Sequence, residues 1–181
     1  MKLFLECEGV SPDSPNRDGR TPLSFAAERG SGGVVELLSE YADVDPNSLD
    51  NNGRTLLSDS TGAERERAGV VKLFLEHRDI NPDLSDNRGR TPLSFAASRG
   101  HKSAVRQLLE RGDVNPNSPD SNGRTPLSFA VSKGHETVME LLQRHGGISP
   151  DLGIAMVKTP YHMLPRRGER CSEAIIGFRS S

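Results

Sequence analysis

Apolar residues recur along the chain with a helical period, in short segments that polar stretches separate. In residues 113–146, Leu127, Ala130 and Val131 lie at positions i, i+3 and i+4, which predicts one apolar face of a short helix. A second apolar face with the same period follows over residues 138–142. The preceding stretch, 113–123, is rich in Asn, Asp, Ser and Pro and ends in Asn-Gly, a strong hairpin signal. This segment is predicted to form a hairpin finger followed by two antiparallel helices.

The residues at the predicted helix ends agree with this pattern. Thr125 is a favourable N-cap residue, and Pro126 suits the first helical position, where a backbone N–H is not needed. Gly134 follows the first helix and Gly146 follows the second. Helices commonly end at glycine because it adopts a left-handed backbone without steric cost. Both helices therefore have a predicted start and a predicted stop.

The same unit occurs four times. The phrase Gly-Arg-Thr-Pro-Leu-Ser-Phe-Ala begins at Gly19, Gly89 and Gly123, and a degenerate copy begins at Gly53. These glycines are separated by 34, 36 and 34 residues, a period typical of stacked repeats in which each unit contacts its neighbours. We therefore expect a solenoid, with helices at 22–29 and 32–41, 56–61 and 64–77, 92–99 and 102–111, and 126–133 and 136–145.

The repeated residues resemble the ankyrin repeat, whose pattern runs Asp-x-x-Gly-x-Thr-Pro-Leu, Ala-Ala, Gly-His and Val-Val-x-Leu-Leu. In the fourth unit the match is carried by Asp120, Gly123, Thr125, Pro126, Leu127, Gly134, His135, Val138, Leu141 and Leu142. The Thr-Pro-Leu-Ser variant is similar to ankyrin arrays of filamentous fungi. Ser24, Ser94 and Ser128 stand where the family usually has His, and we expect their hydroxyls to bond nearby backbone groups. The resemblance implies an all-α fold, an ankyrin-repeat solenoid of helix-turn-helix units joined by β-hairpin-like fingers.

The predicted array covers residues 1–150. It consists of a half repeat at 1–9 and four repeats at about 10–43, 44–79, 80–113 and 114–147. Residues 151–181 form either a degenerate fifth repeat or an irregular tail, since Thr159-Pro160 is in register but Pro165 interrupts the helix that would follow.

The second repeat departs from the others. Asp59 replaces the Phe, Ser60 and Thr61 replace the Ala pair, and two residues are inserted between the helices. Buried hydroxyl groups need hydrogen-bond partners. We expect this repeat to open first, near residues 58–69.

Composition narrows the class of function. The net charge of −2 gives no electrostatic reason to expect nucleic acid or an anionic membrane as partner. Two distant cysteines form neither a zinc cluster nor a disulfide framework. No apolar stretch approaches the roughly 18 residues of a membrane span. We expect a soluble cytoplasmic protein, with a nuclear location left open.

No catalytic or cofactor motif emerges from the chain. The sequence Gly30-Ser31-Gly32-Gly33 resembles part of a phosphate loop but occupies the turn between two helices. Met139 stands where a zinc protease motif beginning at His135 would have its second histidine. His101 and His135 are expected to cap the second helices. We expect no catalysis, no cofactor and no metal.

The resemblance implies a protein-interaction module or scaffold, which binds a partner protein or peptide through the concave surface of the fingers and first helices. Mapped by motif, the candidate contact residues are Arg17, Arg20, Arg29, Asn51, Asn52, Arg54, Asn87, Arg88, Arg90, Arg99, Ser121, Asn122, Arg124 and Lys133. Two alternatives stay open: a fragment of a larger receptor-like ankyrin protein, or a decaying gene copy without independent function. Nucleic-acid binding is disfavoured by the charge and by the absence of Trp.

Two rows of basic residues recur at fixed slots of the repeat. Arg20, Arg54, Arg90 and Arg124 precede the helix starts, and Arg29, Arg99 and Lys133 end the first helices. Guanidinium groups suit bidentate recognition of carboxylates or phosphates, so the rows suit an acidic or phosphorylated peptide. The alternative is that each ladder arginine pairs with acidic finger residues such as Asp18, Asp50, Asp86 or Asp120.

Overall fold

The computed structural model describes residues 13–40, 44–61, 68–77 and 79–145. Eight helices lie in these residues, and they form four successive pairs. The pairs are α1 (Pro22–Arg29) with α2 (Gly32–Ser39), α3 (Leu56–Ser60) with α4 (Ala68–Glu76), α5 (Pro92–Arg99) with α6 (Lys102–Glu110), and α7 (Pro126–Lys133) with α8 (Glu136–His145). The predicted half repeat 1–9 and the tail 151–181 lie outside the described residues, and the repeat boundaries stay a prediction.

The first helix of each pair begins at a threonine cap, as predicted. Thr21, Thr55, Thr91 and Thr125 have extended backbones, and each side-chain Oγ1 accepts the N–H of the serine three residues later. Three of these serines, Ser24, Ser94 and Ser128, are the residues that replace the family's histidine. The Oγ of Ser24 donates to the carbonyl of Thr21 at 2.7 Å, and that of Ser128 donates to Thr125 at 2.8 Å. The expectation that a short hydroxyl would bond nearby backbone is confirmed at both positions.

Glycine ends three of the first helices in the left-handed conformation. At Gly100 the angle φ is +77°, and the N–H groups of Gly100 and His101 bond back to the carbonyls of Ala97 and Ala96. A Cβ atom on Gly100 would lie 2.6 Å from the His135 ring of the next repeat. Glycine is therefore required here both for the backbone conformation and for the close approach of the next repeat.

The helices stack in two rows. First helices contact first helices (α1 with α3, α3 with α5, α5 with α7), and second helices contact second helices in the same order. Leu23, Leu57 and Leu93 are fully buried at equivalent positions in the first row. Small residues such as Ala27 and Ala97 are also fully buried, because the helices of neighbouring repeats pack closely there. The core is thus a thin layer that runs between successive repeats.

Helix bounds differ from the predictions mainly at their ends. Helix α2 ends at Ser39, α3 at Ser60 and α6 at Glu110, each one or two residues earlier than expected. Helix α4 begins at Ala68, and residues 64–67 of its predicted start lie outside the described residues. In the described fingers, an isolated antiparallel bridge joins Leu49 to Thr55, which agrees with hairpin-like turns that form little regular sheet.

The prediction that histidines cap the second helices is wrong for the side chain of His101. His101 occupies the N-cap position of α6, but its ring makes no capping hydrogen bond. The ring of His135 bonds elsewhere: Nε2 lies 3.2 Å from the carbonyl oxygen of Ser98 in α5. That histidine connects its repeat to the preceding one.

The buried hydroxyl groups of the second repeat are hydrogen-bonded. The Oγ of Ser60 donates to the carbonyl of Leu57 at 2.8 Å, and the Oγ1 of Thr61 donates to that of Ser58 at 2.7 Å. Both side chains stay within their own helical turn. The substitution of the alanine pair therefore leaves neither hydroxyl unsatisfied.

Candidate protein-binding surface

The finger of the second repeat is organised around the carboxylate of Asp50. Asp50 Oδ1 accepts the backbone N–H groups of Asn52 at 2.8 Å and Arg54 at 2.9 Å. Its Oδ2 accepts Nε and Nη2 of Arg54 at 2.8 and 2.6 Å. Burial alone would raise the pKa of Asp50, but the hydrogen bonds from Arg54 and Asn52 outweigh it and lower the pKa. The carboxylate therefore holds both the turn and the arginine.

The third and fourth fingers repeat this geometry. Asp86 accepts Nε and Nη2 of Arg90 at 2.9 and 2.6 Å, and Asp120 accepts those of Arg124 at 2.9 and 2.7 Å. For Asp120, too, hydrogen bonds overcome the effect of burial and lower the pKa. The pairing alternative therefore holds for three of the four ladder arginines.

Phenylalanines of the first helices lie under the same guanidinium groups. The Cζ of Arg90 lies 4.4 Å from the ring centre of Phe95, and that of Arg124 lies 4.6 Å from the ring of Phe129. This distance is typical of a cation–π contact. One face of each guanidinium is therefore covered in addition to the edge that binds aspartate.

The first repeat differs, and the prediction that Arg20 pairs with Asp18 is wrong there. Asn16, not Asp18, occupies the slot of Asp50, and its Oδ1 accepts the N–H groups of Asp18 and Arg20 at 2.9 Å each. Because an amide oxygen carries no net charge, Arg20 pairs with Glu28 at 2.6 Å and stacks over Phe25 at 4.2 Å. The turn geometry decides this: the accepting side chain lies four residues before the arginine.

The second repeat places a carboxylate where the others have phenylalanine. Asp59 is buried, and its oxygens lie 3.7 Å from Nη1 of Arg54 and 3.7 Å from Nη2 of Arg20. Burial raises the pKa of Asp59, and the two arginines offset part of that rise. The five side chains Arg20, Glu28, Asp50, Arg54 and Asp59 form one charged group that spans the first two repeats.

Neighbouring fingertips are bonded to each other. The N–H groups of Asn51, Asn87 and Ser121 donate to the carbonyls of Asp18, Asn52 and Arg88 at 2.9–3.0 Å. The side-chain amides of Asn51 and Asn87 also donate to carbonyls of the preceding finger, at 2.9 and 3.1 Å. Asn51 and Asn87, predicted as contact residues, thus hold the fingers together.

A second set of bonds joins the bases of the fingers, and sequence reasoning missed it. The side chain after each finger proline accepts the backbone N–H of the next finger. Asp13 Oδ2 receives Asp45 at 3.3 Å, Asn47 Oδ1 receives Asn81 at 2.7 Å, and Asp83 Oδ2 receives Asn115 at 2.7 Å. The signal in the sequence is an Asp or Asn after each finger proline, at the spacing of the repeat.

The remaining predicted residues are distributed as follows. Arg17, Arg29, Arg88 and Lys133 are exposed, and none of their side chains bonds to a described residue. The Nη1 of Arg99 lies 3.4 Å from the carbonyl of Ser58 in the previous repeat. Asn52, Ser121 and Asn122 are exposed at the fingertips. A polar cleft of about 290 Å³ lies between the second and third fingers, where its walls are formed by Asn52, Arg54, Asp86, Asn87, Arg88 and Arg90.

The described residues contain neither a helix able to span a membrane nor a cluster of metal ligands. Within them, no helix combines the length and hydropathy that a bilayer crossing requires. The same ranges contain no group of three or more His, Cys, Asp or Glu side chains that could hold a metal ion.

Comparison with known proteins agrees with the repeated geometry. The family model for ankyrin repeats (3 copies) matches residues 1–83 and 61–153. The 26S proteasome non-ATPase regulatory subunit 10 of Dictyostelium discoideum is 36% identical over 63 residues, which are 35% of this chain and 27% of that protein. The chain thus aligns with about a quarter of that relative's length. Since the family model covers most of the chain and four finger-and-helix units share one geometry, the chain belongs to the ankyrin-repeat family.

Proposed function

We propose that the chain is a protein-interaction module without catalysis of its own, and that its partner binds the first-helix face. This face consists of finger residues 16–20, 50–54, 86–90 and 120–124 together with α1, α3, α5 and α7. Ankyrin repeats generally mediate protein–protein interaction, which supports the proposal at the level of the family. The exposed polar fingertips and the cleft between two fingers add local support.

The partner is proposed to be acidic, and the observation that carries this is the position of the unpaired cations. The ladder arginines Arg54, Arg90 and Arg124 are neutralised by their own aspartates. By contrast, Arg17, Arg29, Arg88 and Lys133 have no partner among the described residues. Binding an acidic segment there requires no internal ion pair to break. The ladder arginines keep a supporting role because they position the fingertips.

The experiment measures binding of a fluorescein-labelled peptide of six glutamates by anisotropy, with a six-glutamine peptide as the uncharged control. The double variant Arg88→Glu and Lys133→Glu is expected to weaken binding about tenfold, since each reversal replaces an attraction by a repulsion. Binding should weaken further as salt is raised.

The matched control reverses two exposed cations on α6, Lys102→Glu and Arg106→Glu, with the same change in net charge. Equal losses in both double variants would show a general charge effect and contradict a site on the first-helix face. If the parent protein does not bind the glutamate peptide, the acidic-partner proposal is wrong. Tighter binding of duplex DNA than of the glutamate peptide would favour the nucleic-acid alternative.

A further inference from the structure

The junction between the second helices α4 and α6 is closed by an arginine. Arg111, which directly follows α6, donates from Nη1 to the carbonyl of Leu75 at 2.7 Å and from Nη2 to that of Ile80 at 3.3 Å. Its Nε donates to Oδ2 of Asp113 at 3.0 Å. The carbonyls at the end of a helix lack partners within the helix, so a guanidinium is well suited to this place.

The preceding junction, between α2 and α4, lacks this arginine. His77 occupies the slot of Arg111, three residues before the finger aliphatic residue, and Ser39 occupies the slot of Leu75. The ring of His77 stays in its own loop, where Nδ1 accepts the N–H of Asp79 at 3.3 Å. A groove of about 340 Å³ lies between the two helices at this point.

The groove has an apolar floor and an acidic rim. Val35 and Phe74 are 1% and 2% exposed and lie at its base. Glu36 and Glu40 line one side, and neither side chain has a partner among the described residues. Glu76 lines the other side and forms an exposed pair with Lys72 at 3.6 Å. Three carboxylates therefore surround an apolar slot.

We propose that this groove is a second binding site and that it binds an arginine side chain from a basic segment of a partner protein. Its rim is acidic, whereas the first-helix face carries exposed cations. The aliphatic stem of an arginine would lie on the apolar floor, while its guanidinium would reach the rim of carboxylates. One junction further along, an arginine of the chain itself, Arg111, bonds two backbone carbonyls and the carboxylate of Asp113. The proposal does not rest on the acidic partner proposed above.

The volume of the groove sets the scale of what it binds. Ligand pockets usually measure about 300–1,000 Å³, and this groove is at the lower limit, so it accommodates one long side chain and not a folded segment. Specificity then comes from a single basic anchor with apolar neighbours. A flexible peptide is sufficient as a probe.

The probe is a fluorescein-labelled peptide of sequence Ala-Leu-Arg-Ala-Leu-Arg-Ala, and its control carries citrulline, the neutral isostere, in place of both arginines. The full chain is expected to bind the arginine peptide and not the citrulline peptide. The variant Glu36→Gln with Glu40→Gln should weaken binding about threefold to tenfold. The variant His77→Arg should fill the groove from within the chain and reduce binding at least as much.

Matched controls use the same slots in other repeats. Glu110 and Glu140 are exposed equivalents of Glu40 and Glu36, so Glu110→Gln with Glu140→Gln should leave binding unchanged, as should Arg88→Glu with Lys133→Glu. The proposal would be overturned if the citrulline peptide bound as tightly as the arginine peptide. It would also be overturned if the variant His77→Arg bound the arginine peptide as tightly as the parent does. Sedimentation supplies a further test. If the parent is a dimer and the variant Glu36→Gln with Glu40→Gln is a monomer, the occupant is a second copy of this chain and the proposal is overturned.

Discussion

Asn47 and Asp83 occupy the same slot in successive fingers, and they differ in how completely their side chains are bonded. Asn47 accepts the N–H of Asn81 and also donates from Nδ2 to the carbonyl of Asp79 at 2.6 Å. Asp83 accepts the N–H of Asn115, but its buried Oδ1 has no partner among the described residues. Burial raises the pKa of Asp83, in spite of the bond from Asn115. The carboxylate is therefore less suited to this slot than the amide.

The variant Asp83→Asn is expected to raise the free energy of unfolding by about 1 kcal/mol at pH 7, the scale of one hydrogen bond. Its Nδ2 would donate to the carbonyl of Asp113, as Asn47 does to Asp79. Because the folded-state pKa of Asp83 is raised, the parent loses stability as pH rises through it, so the gain should shrink on acidification. Urea unfolding of the full chain at pH 7 and pH 4 measures this.

The reciprocal variant, Asn47→Asp, provides the control at the equivalent slot. It should lower the free energy of unfolding at pH 7, since it removes the donor to Asp79 and introduces a partly buried charge. Stability changes of the same sign in both variants would contradict the argument.

Helix α3 is the shortest of the described helices, with five residues where its counterparts in the other repeats have eight. It is supported from the next repeat: Nη1 of Arg99 lies 3.4 Å from the carbonyl of Ser58 and 3.4 Å from Oγ1 of Thr61. Short helices gain little from their own hydrogen bonds and depend on packing. The expectation that the second repeat opens first stays a prediction.

Native-state hydrogen exchange measures this expectation directly. Amides of α3 should exchange faster than those of α6, because local opening follows the weakest unit of a stack. The variant Arg99→Ala should accelerate exchange in α3 more than in α6, by roughly threefold to tenfold if each bond contributes a fraction of a kcal/mol. Arg29→Ala, an exposed change at the same slot, is the control. Equal protection of α3 and α6 in the parent would refute the prediction.

Most of the element pattern could be predicted from the sequence, because the signals lie within a few residues of each other. Thr91 caps α5, Pro92 begins it and Gly100 ends it, so the bounds of that helix follow from local chemistry. Contacts between repeats could not be predicted in this way. Arg111 reaches a carbonyl 36 residues earlier, and the choice of Asn16 over Asp18 depends on the turn geometry. The basic rows and the aspartate partners of Arg54, Arg90 and Arg124 were therefore among the expectations, whereas the partner of Arg20 was not.

At the scale of the array, the charged group around Asp59 is one place where the free energy of unfolding depends on pH. Five ionised side chains from two repeats lie within ion-pair distance of one another in a chain of contacts. Burial raises the pKa of Asp59, whereas the hydrogen bonds of Asp50 lower the pKa of that carboxyl. The two aspartates therefore influence acid stability in opposite directions.

The variant Asp59→Asn is expected to stabilise the array at pH 7 by about 1 kcal/mol, because it removes a buried charge while keeping the shape of the side chain. A raised folded-state pKa means that ionised Asp59 opposes folding, and this effect disappears below the unfolded-state value. The gain should therefore vanish toward pH 3 in urea unfolding. The exposed Asp18→Asn variant controls for net charge. A loss of stability at pH 7 would mean that attraction to Arg54 and Arg20 exceeds the cost of burial.

Asp59 also affects the register in which a ligand can align with the repeats. A perfectly periodic surface offers a ligand several equivalent positions, each displaced by one repeat, and the bound state is then a mixture of them. The row Phe25, Asp59, Phe95, Phe129 breaks that translational degeneracy at one position. Because Asp59, Phe95 and Phe129 are buried, a ligand on this surface meets the break through Arg20 and Arg54, which Asp59 holds differently from Arg90 and Arg124. The irregular repeat thus makes one position along the array different from the others, so that alignments of a ligand shifted by one repeat are no longer equivalent.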